Sequence, residues 1–160
     1  MHMGYEIERK FLVGGDYKSQ SSKSFSIKQG YLSLSGISVI RVRIKGERAF
    51  ITIKSALAEG KIKRHEWEYE IPMEDAEEML ALCENPVIEK TRYLIDYGGH
   101  LFEVDEFYGD NDGLVIAEIE LEDEEESFDR PDWLGDEVTG NVRYYNSFLS
   151  MHPYKEWSSE

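Results

Sequence analysis

Glu6, Glu8 and Lys10 stand two residues apart near the amino terminus. In an extended chain, residues two apart share one face. The same spacing recurs along the sequence: Arg41 with Arg43, Thr52 with Lys54, Arg64 with Glu66, Glu68 and Glu70, Lys90 with Arg92, Glu103 with Asp105, and Glu118 with Glu120. The cationic pairs Arg41/Arg43 and Lys90/Arg92 fall on different segments from the carboxylate pairs Glu6/Glu8, Glu68/Glu70, Glu103/Asp105 and Glu118/Glu120, whereas a merely solvated face would mix the signs. Arginine forks make bidentate bonds to phosphate oxygens and lysine supplies a point charge. Paired carboxylates would repel the same phosphates unless a divalent cation stood between them. Oxygen donors without His or Cys suit Mg²⁺ or Mn²⁺. Cationic and carboxylate pairs held together therefore point to a metal and a polyphosphate, because unpaired charge in an enclosed site is costly.

Strands must position these pairs. Alternating apolar and polar residues predict strands at about Tyr5–Val13, Phe25–Leu34, Ser38–Lys45, Ala49–Ser55, Lys61–Ile71, Val87–Tyr97, Leu101–Phe107 and Leu114–Glu122. Short turns join several of them, as at Lys45-Gly46-Glu47 and Gly98-Gly99. Gly109-Asp110-Asn111-Asp112-Gly113 reads as another turn, since the spacing of a calcium loop fails there. Pro72 opens a helix predicted over Met73 to about Cys83, with Glu74, Asp75, Glu77 and Glu78 where the helix dipole favours them. A second helix is predicted over about Asn141 to Met151, and Glu122–Glu126 as a solvated loop. The expected fold is α+β. It is a closed antiparallel eight-stranded β-tunnel, or barrel, with a few flanking helices and with residues 1–160 as a single domain. Charged faces would line its bore, and apolar faces would lie outside.

Composition narrows the function classes. The 18 Lys and Arg stand against 33 Asp and Glu, a formal net charge of −15. Such a chain repels DNA and anionic membranes, so any polyanion must bind in a local cationic site. No apolar run approaches the ~20 residues that span a bilayer, and the amino terminus lacks the apolar core of a signal peptide. Cys83 is the single cysteine, expected to fill the core. The expectation is a cytoplasmic protein with a small-molecule partner, no nucleic acid or membrane partner, and room for a homodimer. No P-loop, GxGxxG or HExxH pattern occurs, and His2, His65, His100 and His152 share no ligand spacing.

Tyr5-Glu6-Ile7-Glu8-Arg9-Lys10-Phe11-Leu12-Val13 contains ExExK. It is followed in order by Arg41-Val42-Arg43, Lys54, Arg64 to Ile71, Glu89-Lys90-Thr91-Arg92-Tyr93, Glu103-Val104-Asp105 and Glu118-Ile119-Glu120. Trp133 to Gly140, with Arg143-Tyr144, completes the set. This sequence resembles the CYTH, or triphosphate tunnel metalloenzyme, family in its short bacterial form, over about Tyr5 to Pro153. The resemblance implies an eight-stranded tunnel that hydrolyses a triphosphate with Mg²⁺ or Mn²⁺. It implies Glu6, Glu8, Glu118 and Glu120 as metal ligands, with Glu68, Glu70, Glu103 and Asp105 as further candidates. Lys10, Arg41, Arg43, Lys54, Arg64, Lys90 and Arg92 are implied as substrate-binding, and Lys10, Glu8 and Glu120 as catalytic. Inorganic tripolyphosphate is the preferred substrate. A nucleoside or thiamine triphosphatase, a class IV-type adenylate cyclase and a non-catalytic polyphosphate or nucleotide sensor are the alternatives.

Overall fold

The structure, a computed structural model, describes residues 7–34, 38–55 and 65–159, with backbone only for 158 and 159. Its strands are β1 (Ile7–Val13), β2 (Lys23–Ser33), β3 (Ser38–Lys45), β4 (Arg48–Ser55), β5 (Glu66–Ile71), β6 (Ile88–Tyr97), β7 (His100–Phe107), β8 (Val115–Leu121) and β9 (Leu134–Glu137). The helices are α1 (Met73–Ala81) and α2 (Asn146–Met151), with short 3₁₀ turns elsewhere. All strand pairs are antiparallel, in the order β5-β4-β3-β2-β6-β7-β8-β1-β9. No helix among the described residues is long and apolar enough to cross a membrane.

Two expectations are corrected. Among the described residues the sheet has nine strands rather than eight, and it does not close: β5 and β9 form its edges. The additional strand explains the difference. β9 covers the free edge of β1, pairing Phe11 with Glu137 and Val13 with Leu134, and Val138 N–H donates to the Lys10 carbonyl at 2.8 Å. Its sequence, Leu-Gly-Asp-Glu, has no apolar alternation to announce a strand. Gly135 lies so close to β1 that a Cβ there would stand 2.9 Å from the Leu12 carbonyl oxygen. The second correction concerns the predicted Asn141–Met151 helix, which is broken in two. Asn141 accepts a bond from Arg143 N–H and closes a 3₁₀ turn over Val142–Tyr144. Tyr145 is then extended (φ −81°, ψ 139°) before α2 begins.

Directly paired residues share a face, so the register sorts the side chains. Lys10 faces Glu118, Glu8 faces Glu120, Arg92 faces Asp105, Arg41 faces Thr52, and Thr52 faces Glu68. The charged residues thus lie on one inner face, from β5 across to β1. Four strands separate β3 from β1 in the sheet, yet both line one cavity of about 400 Å³. The sheet therefore curls strongly around it.

Apolar packing holds that curl from outside. Val42 and Ala49 are buried under Ala76 and Leu80 of α1. Gly30 permits this approach: a Cβ there would stand 2.7 Å from Cys83 Sγ and 3.1 Å from Leu80 Cδ2. On the far side Phe11, Ile95, Phe102, Val104, Ile119 and Leu121 pack under Trp133, with Phe128 against them. Each large apolar side chain so buried contributes about 1.5–3 kcal/mol relative to exposure. A third cluster lies inside. Ile88, Phe107 and Ile116 fall on the same strand faces as Lys90, Asp105 and Glu118, and Leu149 of α2 packs onto them with Tyr144, Tyr154 and Trp157 alongside. One end of the inner face is thereby plugged by the carboxyl-terminal segment.

Candidate functional site

The deepest charges are on β6 and β7. Lys90 is 1 % exposed and Asp105 4 %. Lys90 Nζ stands 2.8 Å from Asp105 Oδ2 and donates to Asn146 Oδ1 at 3.0 Å. Arg92 grips the same carboxylate with a fork, donating from Nε to Oδ1 at 2.8 Å and from Nη2 to Oδ2 at 3.0 Å. Its Nη1 donates to Glu103 at 3.2 Å. Asp105 is thus shared by Lys90 and Arg92, and Arg92 by Asp105 and Glu103. Burial pushes the Lys90 ammonium down, and Arg92 and Arg43 add to this against the pull of Asp105. Burial alone would raise the Asp105 carboxyl, but Lys90 and Arg92 outweigh it and hold it below the usual carboxylate range.

β3 and β4 supply a second bank. Burial, then the neighbouring charges of Arg41 and Arg92, push Arg43 down to about 10. Arg43 Nε donates to Gln29 Oε1 at 2.8 Å. Arg41 Nη2 lies 3.4 Å from Thr52 Oγ1 and 3.9 Å from Glu68, while its buried Nε has no hydrogen-bond partner among the described residues. Thr52 donates to Glu68 at 2.8 Å. Among the described residues Lys54 approaches Glu66 at 4.0 Å.

β1 faces these strands across the cavity. Lys10 lies 3.5 Å from Glu118 and 4.5 Å from the Tyr145 ring centroid, and donates to the Tyr144 carbonyl at 3.4 Å. Glu8, Lys10, Tyr31, Val39, Arg41, Thr52 and Lys54 line the cavity from the sheet, and Thr139, Gly140, Tyr145, Asn146 and Ser147 close it from the carboxyl-terminal segment. Among the described residues, three cations and one carboxylate thus line a cavity in a chain of net charge −15.

The sequence-predicted residues separate into groups. Lys10, Arg41, Lys54 and Glu8 share the cavity wall. Arg43, Lys90, Arg92, Glu103 and Asp105 lie on the same inner face, in or beside the buried ion-pair network. Glu118 and Glu120 are on β8 opposite Lys10 and Glu8. Glu70 is drawn toward the exposed edge by Arg48, at 2.6 Å. Glu6 and Arg64 fall outside the described residues.

Glu8 and Glu120 oppose one another across β1 and β8, an arrangement of like charges that is unfavourable without a cation nearby. With Glu118 they offer oxygen donors alone, the set that suits a hard divalent ion. Among the described residues no three His, Cys, Asp or Glu side chains form a ready-made cage. Sequence reasoning missed Gln29, Asn146 and the contribution of Thr139 and Gly140, because neutral side chains carry no charge pattern. Tyr31 was legible only as an aromatic residue on a strand.

Known proteins share this arrangement of strands. The CYTH domain family matches residues 4–147. The chain is 49 % identical over 156 residues to an inorganic triphosphatase of Acetivibrio thermocellus, covering 97 % of this chain and 99 % of that protein. It is 38 % identical over 152 residues to an inorganic triphosphatase of Nitrosomonas europaea, covering 91 % and 97 %. The crystal structure of an inorganic triphosphatase superposes with a TM-score of 0.75 at 34 % identity, covering 94 % of this chain and 97 % of that one. The chain belongs to the CYTH domain family.

Proposed function

We propose that the protein is an inorganic triphosphatase that hydrolyses tripolyphosphate to pyrophosphate and phosphate with Mg²⁺ or Mn²⁺. The observation that carries this reading is the cavity where Lys10, Arg41 and Lys54 converge from three strands beside Glu8. Its cations match the oxygens of a short phosphate chain. The names of its relatives favour the inorganic substrate.

Lys10, Arg41, Arg43, Lys54, Lys90 and Arg92 hold the phosphates in this reading, with Arg64 joining them. Glu8, Glu118 and Glu120, with Glu6, would hold the divalent metal, which would supply Lewis-acid stabilisation of the phosphate charge and activation of water. Glu68 and Glu103 remain candidates for further metal or water contacts. Asp105 has both oxygens engaged by Lys90 and Arg92, and Glu70 is engaged by Arg48. Their proposed work is to orient cations. Water adds to the terminal phosphorus, the bridging P–O bond breaks, and pyrophosphate leaves. Glu8 or Glu120 accepts the water's proton. Lys10 and the arginines stabilise the charge that builds on the transferred group and the leaving oxygen.

The test is phosphate release from tripolyphosphate, pyrophosphate, ATP and thiamine triphosphate with Mg²⁺ or Mn²⁺. Tripolyphosphate should be the best substrate, and pyrophosphate, with one phosphate fewer to engage the cations, a poor one. Tight binding of tripolyphosphate with no release from any triphosphate would replace the enzyme with a sensor.

A further inference from the structure

Most arginine forks on the inner face are matched by carboxylates. Arg92 has Asp105 and Glu103, and Arg41 has Glu68 within 3.9 Å. Arg43 is different. Its Nε donates to the side-chain oxygen of Gln29, a neutral residue directly opposite it in the β2–β3 register. Gln29 is 0 % exposed, and its Nε2 has no hydrogen-bond partner among the described residues. The amide cannot turn round to remedy this. A guanidinium only donates, so the Gln29 oxygen must face Arg43 and the amide N–H groups must face elsewhere. A buried donor without an acceptor is unfavourable and asks for an explanation.

We infer that Gln29 is a positioning residue for triphosphate recognition: its oxygen fixes the Arg43 fork without neutralising it, and its amide N–H is left for a phosphate oxygen. This rests on the reading of the cavity as a triphosphate site. A carboxylate in place of Gln29 would orient Arg43 equally well and would be electrostatically easier in the empty protein, where Arg41 and Arg92 already crowd Arg43. It would also cancel the charge the substrate needs and repel the phosphate. A neutral acceptor at this position makes sense only if an anion is to arrive.

Gln29→Glu and Gln29→Leu test this, with tripolyphosphate as the probe. Affinity is read by calorimetry, and the melting temperature without ligand is read in parallel. Gln29→Glu should raise the melting temperature of the ligand-free protein while weakening tripolyphosphate binding at least about tenfold at pH 8. The loss should shrink as the pH falls and the new carboxyl protonates into a near-isostere of glutamine. Gln29→Leu should keep the fold, raise KM for tripolyphosphate several-fold and show no such pH dependence. A purely structural glutamine would instead lose stability and affinity together in both variants. Parent-like affinity in Gln29→Glu, or an affinity loss matched by a fall in melting temperature, overturns the inference. Failure of the parent to bind tripolyphosphate at all would instead remove the triphosphate reading on which it rests.

Discussion

Arg92 and Asp105 face one another in direct register on β6 and β7 and are joined by two bonds, Nε to Oδ1 at 2.8 Å and Nη2 to Oδ2 at 3.0 Å. Lys90 holds the same carboxylate at 2.8 Å. Asp105 is therefore the counter-ion on which the buried cations are organised. Asp105→Asn keeps the shape and removes the charge, leaving two buried cations with too little compensation. The expected result is a loss of about 3 kcal/mol in denaturant unfolding of the ligand-free protein. Tripolyphosphate should then raise the melting temperature of the variant by more than it raises that of the parent, because the ligand supplies the missing negative charge. An unchanged unfolding midpoint would refute the counter-ion role.

Arg41 and Arg92 look alike in the sequence, each one of a cationic pair on an alternating strand, but their surroundings differ. Arg41 has a 3.4 Å approach to Thr52, a 3.9 Å approach to Glu68 and a buried Nε with no hydrogen-bond partner among the described residues. Thr52 and Glu68 keep their own 2.8 Å bond if Arg41 is removed. Arg41→Ala should thus lower kcat/KM for tripolyphosphate at least about tenfold, roughly 1.4 kcal/mol, with little change in the melting temperature of the empty protein. Arg92→Ala should lower both, since Asp105 loses its bidentate partner. Equal melting behaviour in the two variants would show that the ion-pair network does not distinguish them.

These differences mark how far the sequence could be read. Strand periodicity placed Lys10, Arg41, Lys54, Lys90 and Arg92 on one face because a side chain's face follows from parity alone. Parity does not tell which carboxylate meets which cation, so the engagement of Asp105 by Lys90 and Arg92 needed the register between β6 and β7. β9 was invisible because Leu134 to Glu137 owes its extended form to pairing with β1 and to the close passage of Gly135 over Leu12, neither of which leaves a local pattern. Gln29 was missed for the opposite reason. It stands in a legible strand, but a neutral side chain on a charged face carries no sign to be noticed.

Metal dependence is expected to reside in β1 and β8. Glu8 and Glu120 oppose one another in register, and Glu8→Gln or Glu120→Gln removes one negative charge with little change in shape. Each variant should lose tripolyphosphate hydrolysis by about a hundredfold or more, the scale of one electrostatic group in a phosphoryl-transfer site, while keeping the circular dichroism spectrum of the parent and, without metal, melting no lower than it, since one of two opposed like charges is removed. A chelator should abolish the parent's activity, and Mg²⁺ or Mn²⁺ should restore it. Undiminished turnover in chelator would remove these carboxylates from the reaction.

β9 is tied to β1 by Arg9 and Glu137. Arg9 donates from Nε at 2.9 Å and from Nη2 at 2.7 Å, and Thr139 donates to the same carboxylate at 2.6 Å. Beyond this clamp, Thr139 and Gly140 line the cavity, so the clamp holds one wall of the candidate site. The Arg9 bond, helped by Thr139 and opposed by burial, pulls the Glu137 carboxyl down to about 2. A carboxyl whose folded value lies below its unfolded one stabilises the fold above the unfolded value, near 4.5, and loses that contribution as the pH falls toward 2. Because the pair is partly exposed, water screens it and its contribution at neutral pH is about 0.5 kcal/mol. Glu137→Gln should therefore melt slightly below the parent at pH 7, and the two curves should converge as the pH falls from about 5 toward 2, because only the parent has this charge to lose. A constant gap across that range would mean that Glu137 stabilises β9 by shape and hydrogen bonding alone, and the ionic clamp would be discarded.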